Sequence, residues 1–193
     1  LRDSEQNYRT LADSAPALIW ASGKDKLCNY FNQPWLKFTG RSLEQEMGNG
    51  WAEGVHPEDF QRCLDTYVSA FDARQEFNME YRLRRHDGEY RWVVDHGVPR
   101  HDGHGVFLGY IGSCIDITER REFMEELKRS NVELEQFSYA VSHDMRQPLR
   151  MISSYLQLIE MSLADQLDGE KRGYFNVAIE GAKRIDQMLG ALL

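Results

Sequence analysis

One segment of the chain, residues 137–150 with the sequence FSYAVSHDMRQPLR, concentrates side chains that can do chemistry. In it His143 is followed directly by Asp144, and Gln147 and Pro148 come about one helical turn later. A carboxylate beside an imidazole can hydrogen-bond one ring nitrogen and leave the lone pair of the other as a nucleophile. The segment therefore predicts nucleophilic chemistry at His143, with Asp144 as its partner.

The residues around this string have the apolar pattern of a long helix. One stripe, in steps of four and three, runs through Phe123, Leu127, Ser130, Leu134, Phe137 and Val141, and an overlapping one through Met124, Leu127, Asn131, Leu134, Ser138, Val141 and Met145. We expect a helix from about 118 to 163, about 68 Å long, which is typical of a dimeric coiled coil. His143 falls beside the stripes and should face solvent. Pro148 cannot donate to the carbonyl of Asp144, so the helix should bend there.

A second helix is expected at 170–193, after a loop at 164–169. Its stripe consists of Tyr174, Ala178, Gly181, Ile185, Met188 and Leu192. Neither helix of this hairpin can bury its stripe alone, whereas two hairpins form a four-helix bundle. The pattern therefore predicts a homodimer.

Before residue 118 the periods are those of strands and short helices. Strands are expected at 17–22, 27–31, 77–84, 90–98 and 106–117, and short helices at 33–38, 42–47 and 58–72. A turn-rich stretch, 100–105, should separate the last two strands. In two of these strands, every second residue should face the core. The inward residues are Phe77, Met79, Tyr81 and Leu83 in the first of them and Tyr90, Trp92, Val94, His96 and Val98 in the next. The order predicts an α+β domain with one five-stranded antiparallel sheet.

Several strings in this part resemble the PAS family. They are GEYRWV at 88–93, GYIG at 109–112, DITER at 116–120, and HPED at 56–59 at the start of the connecting helix. The resemblance implies a PAS sensor domain over residues 1–118, and such a domain has a pocket for a possible small-molecule ligand. The strings do not identify that ligand.

The string 137–150 resembles the phosphoacceptor box of sensor histidine kinases, and residues 130–193 resemble the phytochrome-like type. The resemblance implies that His143 accepts a phosphoryl group and that Asp144 is the general base. Gln147 lies where many relatives have a Thr or Asn that orients a water for dephosphorylation, and the Gln is a departure from that pattern. Residues 119–136 would be a coiled-coil signalling helix, and residues 137–193 the dimerisation and histidine phosphotransfer domain.

The same resemblance implies an ATP-dependent protein-histidine kinase in a two-component system, with the aspartate of a response-regulator receiver domain as second acceptor. ATP and Mg would be bound by the kinase's own ATP-binding domain, which these residues lack, so this fragment alone should be inactive. Gly23-Lys24 lacks the preceding glycine of a P-loop. We expect no cofactor and no metal on this chain.

Two other functions compete with this interpretation. One is a non-catalytic dimeric PAS scaffold or phosphotransfer module, and the residues beyond 193 would distinguish it from a kinase. The other, a PAS-regulated cyclase or transcription factor, is disfavoured because neither output needs the string around His143.

The remaining histidines have simpler interpretations. His56 is expected at a helix start rather than as a haem ligand. The set His96, His101 and His104 with Asp95 and Asp102 is expected to consist of solvated loop residues rather than metal ligands. His96 is expected either as a hydrogen-bonded core residue or in the lining of the sensor pocket. Cys63 lies outside the motif of flavin-binding sensors, so no flavin is expected.

Composition sets outer limits on function. The net charge of −8 argues against nucleic-acid binding, which needs clustered Lys and Arg. Three widely spaced cysteines indicate neither a disulfide framework nor a zinc site, and no run of 18 apolar residues occurs. We therefore expect a cytoplasmic protein. Because the sequence starts at Leu1 and ends in an apolar helix pattern, we expect a fragment, whose missing part could include a membrane anchor.

Overall fold

A computed structural model of the chain describes residues 2–163 and 168–191. In chain order the elements are α1 (Arg2–Ser14), β1 (Leu18–Ser22), β2 (Cys28–Phe31), α2 (Gln33–Thr39), α3 (Leu43–Glu46), a 3-10 helix (Gly50–Gly54), α4 (Pro57–Ala73), β3 (Phe77–Arg84), β4 (Tyr90–His101), β5 (Phe107–Asp116), α5 (Thr118–Ser162) and α6 (Gly169–Ala191). The predicted strands and helices are all present. The sequence patterns did not predict α1 or the 3-10 helix.

The five strands form one antiparallel sheet in the order β2-β1-β5-β4-β3. This confirms the α+β fold class, with β3, β4 and β5 as a meander. The strand β4 extends to His101, so the turn predicted from Arg100 begins later, and the β4–β5 connection is correspondingly short.

The core lies on one face of the sheet, under α2 and α4, and the pattern of β3 predicted its part correctly. Phe77, Met79, Tyr81 and Leu83 are all buried. The face of β4 was predicted wrongly, because its buried residues include Arg91, Val93 and Asp95, while His96 is exposed. Apolar alternation failed here because the inward side of β4 carries polar residues held by specific partners.

Two glycines let aromatic rings lie directly against the sheet. Gly97 of β4 pairs with Gly112 of β5. A Cβ atom on Gly97 would lie 2.3 Å from the ring of Phe77, and one on Gly112 would lie 2.5 Å from the ring of Trp20. Only glycine fits at these two positions.

Side-chain caps fix the starts of two helices. The Asn32 side chain accepts hydrogen bonds from the backbone N–H groups of Trp35 at 3.1 Å and Ile19 at 2.9 Å, which ties α2 to β1. His56 caps α4, and its Nδ1 accepts from the N–H of Glu58 at 3.2 Å, with Pro57 as first helical residue. The expectation that His56 starts a helix is confirmed.

The chain divides into two units, residues 1–122 and 123–193. The second consists of most of α5 together with α6, which confirms the helical hairpin. Of the predicted loop 164–169, residues 164–167 lie outside the described part, and Gly169 belongs to α6. Leu192 of the predicted stripe and the last residue of the predicted helix, Leu193, also lie outside the described part. Among the described residues, no helix is long and apolar enough to cross a membrane.

Candidate functional site

The buried face of α5 determines where His143 points. Ser142 and Leu149, seven residues apart, are both buried, and Leu149 packs with Ala182 and Leu189 of α6. Residues seven apart lie on the same side of a helix, so this side faces α6. His143 is displaced from it by one residue, and its side chain is 62% exposed.

The carboxylate of Asp144 lies beside the imidazole of His143. Nδ1 of the ring lies 3.2 Å from Oδ1 of Asp144, whose side chain is also exposed. When Nδ1 carries the ring proton, Nδ1 donates a hydrogen bond to the carboxylate. The lone pair of Nε2 is then free to attack an electrophile. The geometry therefore suits a nucleophilic histidine oriented by its sequence neighbour.

Gln147 and Pro148 follow His143 in α5, and both are exposed. Gln147 is exposed and comes four residues after His143, so both lie on one face. Pro148 lies inside the continuous helix, where it has no N–H to donate to the carbonyl of Asp144. The bend at Pro148 and the role of Gln147 both stay predictions.

Two features near His143 were not predicted from the sequence. The hydroxyl of Ser142 is fully buried and has no hydrogen-bond partner among the described residues. Nε of Arg146 lies 3.8 Å from Oδ1 of Asp186, a loose ion pair between α5 and α6. The seven-residue spacing of Ser142 and Leu149 is the signal that could have identified the face of α5 toward α6.

A small cavity occupies the core of the first unit. Its volume is about 10 Å³, enough for roughly one water molecule. The lining residues are Trp20, Cys28, Phe31, Trp35, Trp51, Tyr67, Phe77, Met79, Tyr81 and Asp95. His96 is not among them and is exposed, so its interpretation as a core or pocket residue was wrong and its solvated position agrees with the third interpretation. Asp95, expected to be solvated, is buried in β4 instead.

Asp95 is the acidic group of this cavity. Its Oδ1 accepts from the indole N–H of Trp20 at 3.0 Å, and its Oδ2 accepts from the hydroxyl of Tyr81 at 3.3 Å. Burial raises the pKa of Asp95 to about 6, although the hydrogen bonds from Trp20, Cys114 and Tyr81 act in the opposite direction. No basic side chain lines the cavity.

The three thiols of the chain are all buried in the first unit. Cys28, Cys63 and Cys114 are unpaired, and burial raises the pKa of each, that of Cys63 to about 12. The thiolate is the reactive form of cysteine, so these thiols should be unreactive at neutral pH. Cys28 and Cys63 pack as small apolar groups, whereas Cys114 also hydrogen-bonds with Asp95.

Two family models match separate parts of the chain. Residues 29–114 match the PAS fold, and residues 133–193 match the His Kinase A (phospho-acceptor) domain. The second match includes His143, Asp144, Gln147 and Pro148.

The chain is also similar in sequence to longer proteins. The chain is 43% identical over 126 residues to an uncharacterized protein of Sinorhizobium fredii, a match that covers 65% of the chain and 15% of the relative. It is 27% identical to the peroxide stress-activated histidine kinase mak1 of Schizosaccharomyces pombe, over 98% of the chain and 12% of the relative. The chain thus spans only about an eighth of the length of these relatives.

Among solved structures, the chain is similar to the PAS domain of a protein from Colwellia psychrerythraea. The TM-score is 0.51 at 21% identity, and the match covers 61% of this chain and 99% of that one. At this identity the likeness supports the fold alone.

Proposed function

We propose that the chain, whose residues match the PAS fold and the His Kinase A phospho-acceptor domain, is part of a sensor histidine kinase. His143 is then the phosphoryl-accepting residue of an ATP-dependent protein-histidine kinase. One observation carries the proposal. In the phospho-acceptor domain, the exposed ring of His143 has Nδ1 beside the Asp144 carboxylate, so Nε2 is free.

The proposed reaction has two steps. Nε2 of His143 attacks the γ-phosphorus of ATP, the bond from that phosphorus to the bridging oxygen breaks, and ADP leaves. Asp144 takes the proton from Nδ1 as the ring gains positive charge, and so acts as the general base. In the second step the phosphoryl group passes to a receiver-domain aspartate, the P–N bond breaks and a P–O bond forms.

ATP and Mg²⁺ are proposed to be held by a separate ATP-binding domain of the same protein. Among residues 2–163 and 168–191, no cluster of three or more His, Cys, Asp or Glu side chains could hold a metal. This chain supplies the acceptor, so it should not phosphorylate itself unaided. The cytoplasm, where ATP is present, is the proposed compartment.

A homodimer is proposed for the second unit. Its helices expose large apolar side chains, including Leu134 at 62%, Phe137 at 66% and Met151 at 58%. Contiguous exposed apolar surface of this kind marks an interface, and a four-helix bundle from two hairpins would bury it. Residues 119–136 are proposed as the signalling linker between the sensor, 1–118, and the phosphotransfer domain, 137–193.

The test uses the fragment as acceptor. Incubated with the isolated catalytic domain of a related kinase and radiolabelled ATP, the fragment should take up acid-labile phosphate, whereas His143→Gln should take up none. Asp144→Asn should be slower by about 10²-fold or more, since it removes the base. His96→Gln, which changes an exposed histidine of the first unit, is the matched control and should behave as wild type. Label on His143→Gln would refute the assignment.

Gln147 is proposed to align the water that hydrolyses the receiver's aspartyl phosphate. In the complete kinase, Gln147→Ala should leave autophosphorylation nearly intact and lower the phosphatase rate. Equal loss of both activities would indicate a structural role instead.

The competing function, a non-catalytic scaffold or phosphotransfer module, makes a different prediction. If the complete protein has no ATP-binding domain, the fragment should accept phosphate only from a phosphorylated receiver and never from a kinase domain. The two donors, supplied separately, therefore distinguish the two functions.

A further inference from the structure

A second concave surface of the first unit has the opposite charge to the chain as a whole. It is a groove of about 410 Å³ lined by Lys24, Lys26, Phe71, Asp72, Arg74, Val106 and Phe107. Three cations against one carboxylate give this lining a charge of +2, in a chain whose net charge is −8. The volume lies within the range of small-molecule sites.

The cations of this groove lie over an apolar floor. The guanidinium of Arg74 lies 4.2 Å from the ring centre of Phe107, and Nζ of Lys26 lies 5.6 Å from that of Phe71. A guanidinium held against a ring still has N–H donors at its edge, which can bind a carboxylate or phosphate with two hydrogen bonds. Val106, 48% exposed, adds apolar surface at the rim.

Two of the three cations have no carboxylate of their own. Lys26 pairs with Asp72 at 2.6 Å, whereas Lys24 and Arg74 make no ion pair with any residue of the described ranges. The nearby Asp102 is engaged by its own turn, since it accepts from the N–H groups of His104 and Val106. Its pKa is lowered mainly by these bonds and to a smaller extent by Lys24.

Backbone conformation provides an independent argument. In the described residues seven φ angles are positive, five at glycine and two elsewhere. The two exceptions are Lys26 at 68° and Arg74 at 53°, and both line this groove. A left-handed conformation is strained for a residue with a Cβ atom, and glycine would avoid this strain. Both exceptions therefore keep a basic side chain where glycine would relieve backbone strain.

We propose that this groove binds a small organic anion, whose carboxylate or phosphate meets Lys24, Lys26 and Arg74 and whose apolar part lies on Phe107 and Val106. The binding site is separate from the core cavity and does not depend on the phosphoryl chemistry at His143. An anion bound there would bridge the β1–β2 turn, the end of α4 and the start of β5.

The test is an NMR titration of the whole fragment with phenyl phosphate and, separately, with phenylacetate. At least one probe should bind with a Kd below about 1 mM, with shifts centred on residues 24–26, 74 and 106–107, and the preferred probe identifies the anionic group. Benzyl alcohol, which lacks the charge, should bind at least tenfold more weakly. Absence of binding by both anions, or shifts centred elsewhere, would overturn the proposal.

Variants separate binding from stability. Lys26→Gly/Arg74→Gly should weaken binding at least tenfold while the melting temperature stays within a few degrees, because glycine suits both backbones. Lys37→Ala/Lys128→Ala removes two exposed charges elsewhere and should leave binding unchanged. If the glycine variant fails to fold, Lys24→Ala and Arg74→Gln each remove one charge and test binding without introducing a glycine. Unchanged affinity in these variants would show that the cations do not form the site.

Discussion

The two units of the chain differ in where their apolar side chains lie. The first buries most of its aromatic residues around Trp35, Tyr81 and Tyr110. The second buries only Leu149, Ala182 and Leu189 among its described hydrophobic residues and leaves many larger ones exposed. The first unit therefore has a complete hydrophobic core, whereas the second leaves most of its large apolar side chains without the contacts that would bury them. Stability should be independent of concentration in the first unit and depend on it in the second.

The largest effect is expected from the core of the first unit. Trp35 is 1% exposed and packs 4.8 Å from the ring centre of Phe31. Trp35→Ala should lower the free energy of unfolding by about 3–5 kcal/mol, equally at low and high protein concentration, as measured by urea denaturation. Trp92→Ala, on the outer face of the same sheet, is the matched control and should cost less than half as much. Equal losses would mean that the core is not where the structure places it.

The next effect concerns charge in the same core. The folded-state pKa of Asp95, about 6, lies above its unfolded value, so its contribution to stability is complete below pH 3.8 and is lost as pH rises through 6. In Asp95→Asn the amide oxygen can accept from Trp20 and the amide nitrogen can donate to Tyr81. This variant should be more stable than wild type at pH 8, by up to about 3 kcal/mol, with the advantage shrinking toward pH 4.

Asp59 provides a control of opposite sign. Hydrogen bonds from Arg82 lower its pKa to about 2, so its contribution is present above pH 3.8 and is lost as pH falls through 2. Asp59→Asn should therefore destabilise the protein at pH 7. Urea midpoints between pH 4 and 8 measure both variants, and a shift of the same sign in both would contradict the assignment.

The third prediction tests the exposed surface of the second unit. Leu134→Ser removes an apolar side chain from each copy of the proposed dimer and should raise the dimer dissociation constant about 30-fold, or about 2 kcal/mol. Sedimentation velocity over a concentration series measures this. Leu43→Ser changes a leucine that is 40% exposed in the first unit and should leave the constant unchanged. A wild-type fragment that stays monomeric at tens of micromolar would remove the basis of the comparison.

The smallest effect is expected between the two apolar stripes of α5. They share Leu127, Leu134 and Val141 and differ in having Ser130 or Asn131 in one layer. A change of about 1 kcal/mol could shift the balance between two such packings. Ser130→Leu and Asn131→Leu should therefore move the phosphorylation rate of the complete kinase in opposite directions, each about fivefold. Changes in the same direction, or none, would indicate that this part of α5 is a rigid spacer.

How far the sequence predicts this molecule depends on whether local pattern and tertiary contact agree. They agree at residues 77–84, where each inward residue is apolar, and in the string around His143, which carries its own chemistry. They disagree in β4, where the inward Asp95 is stabilised by Trp20, a residue 75 positions away. The buried hydroxyl of Ser142 and the groove cations were likewise not predicted, because both depend on elements brought together only by the fold.

The buried thiols have a practical consequence for spectroscopy. With their pKa values raised, Cys28, Cys63 and Cys114 should react slowly with maleimides and methanethiosulfonates at neutral pH. A single cysteine introduced at an exposed position of α5, such as Glu135→Cys, would then carry a spin label without removal of any native residue. Pulsed electron resonance could report the label-to-label distance between two copies, and an anion added to the groove could be tested for its effect on that distance.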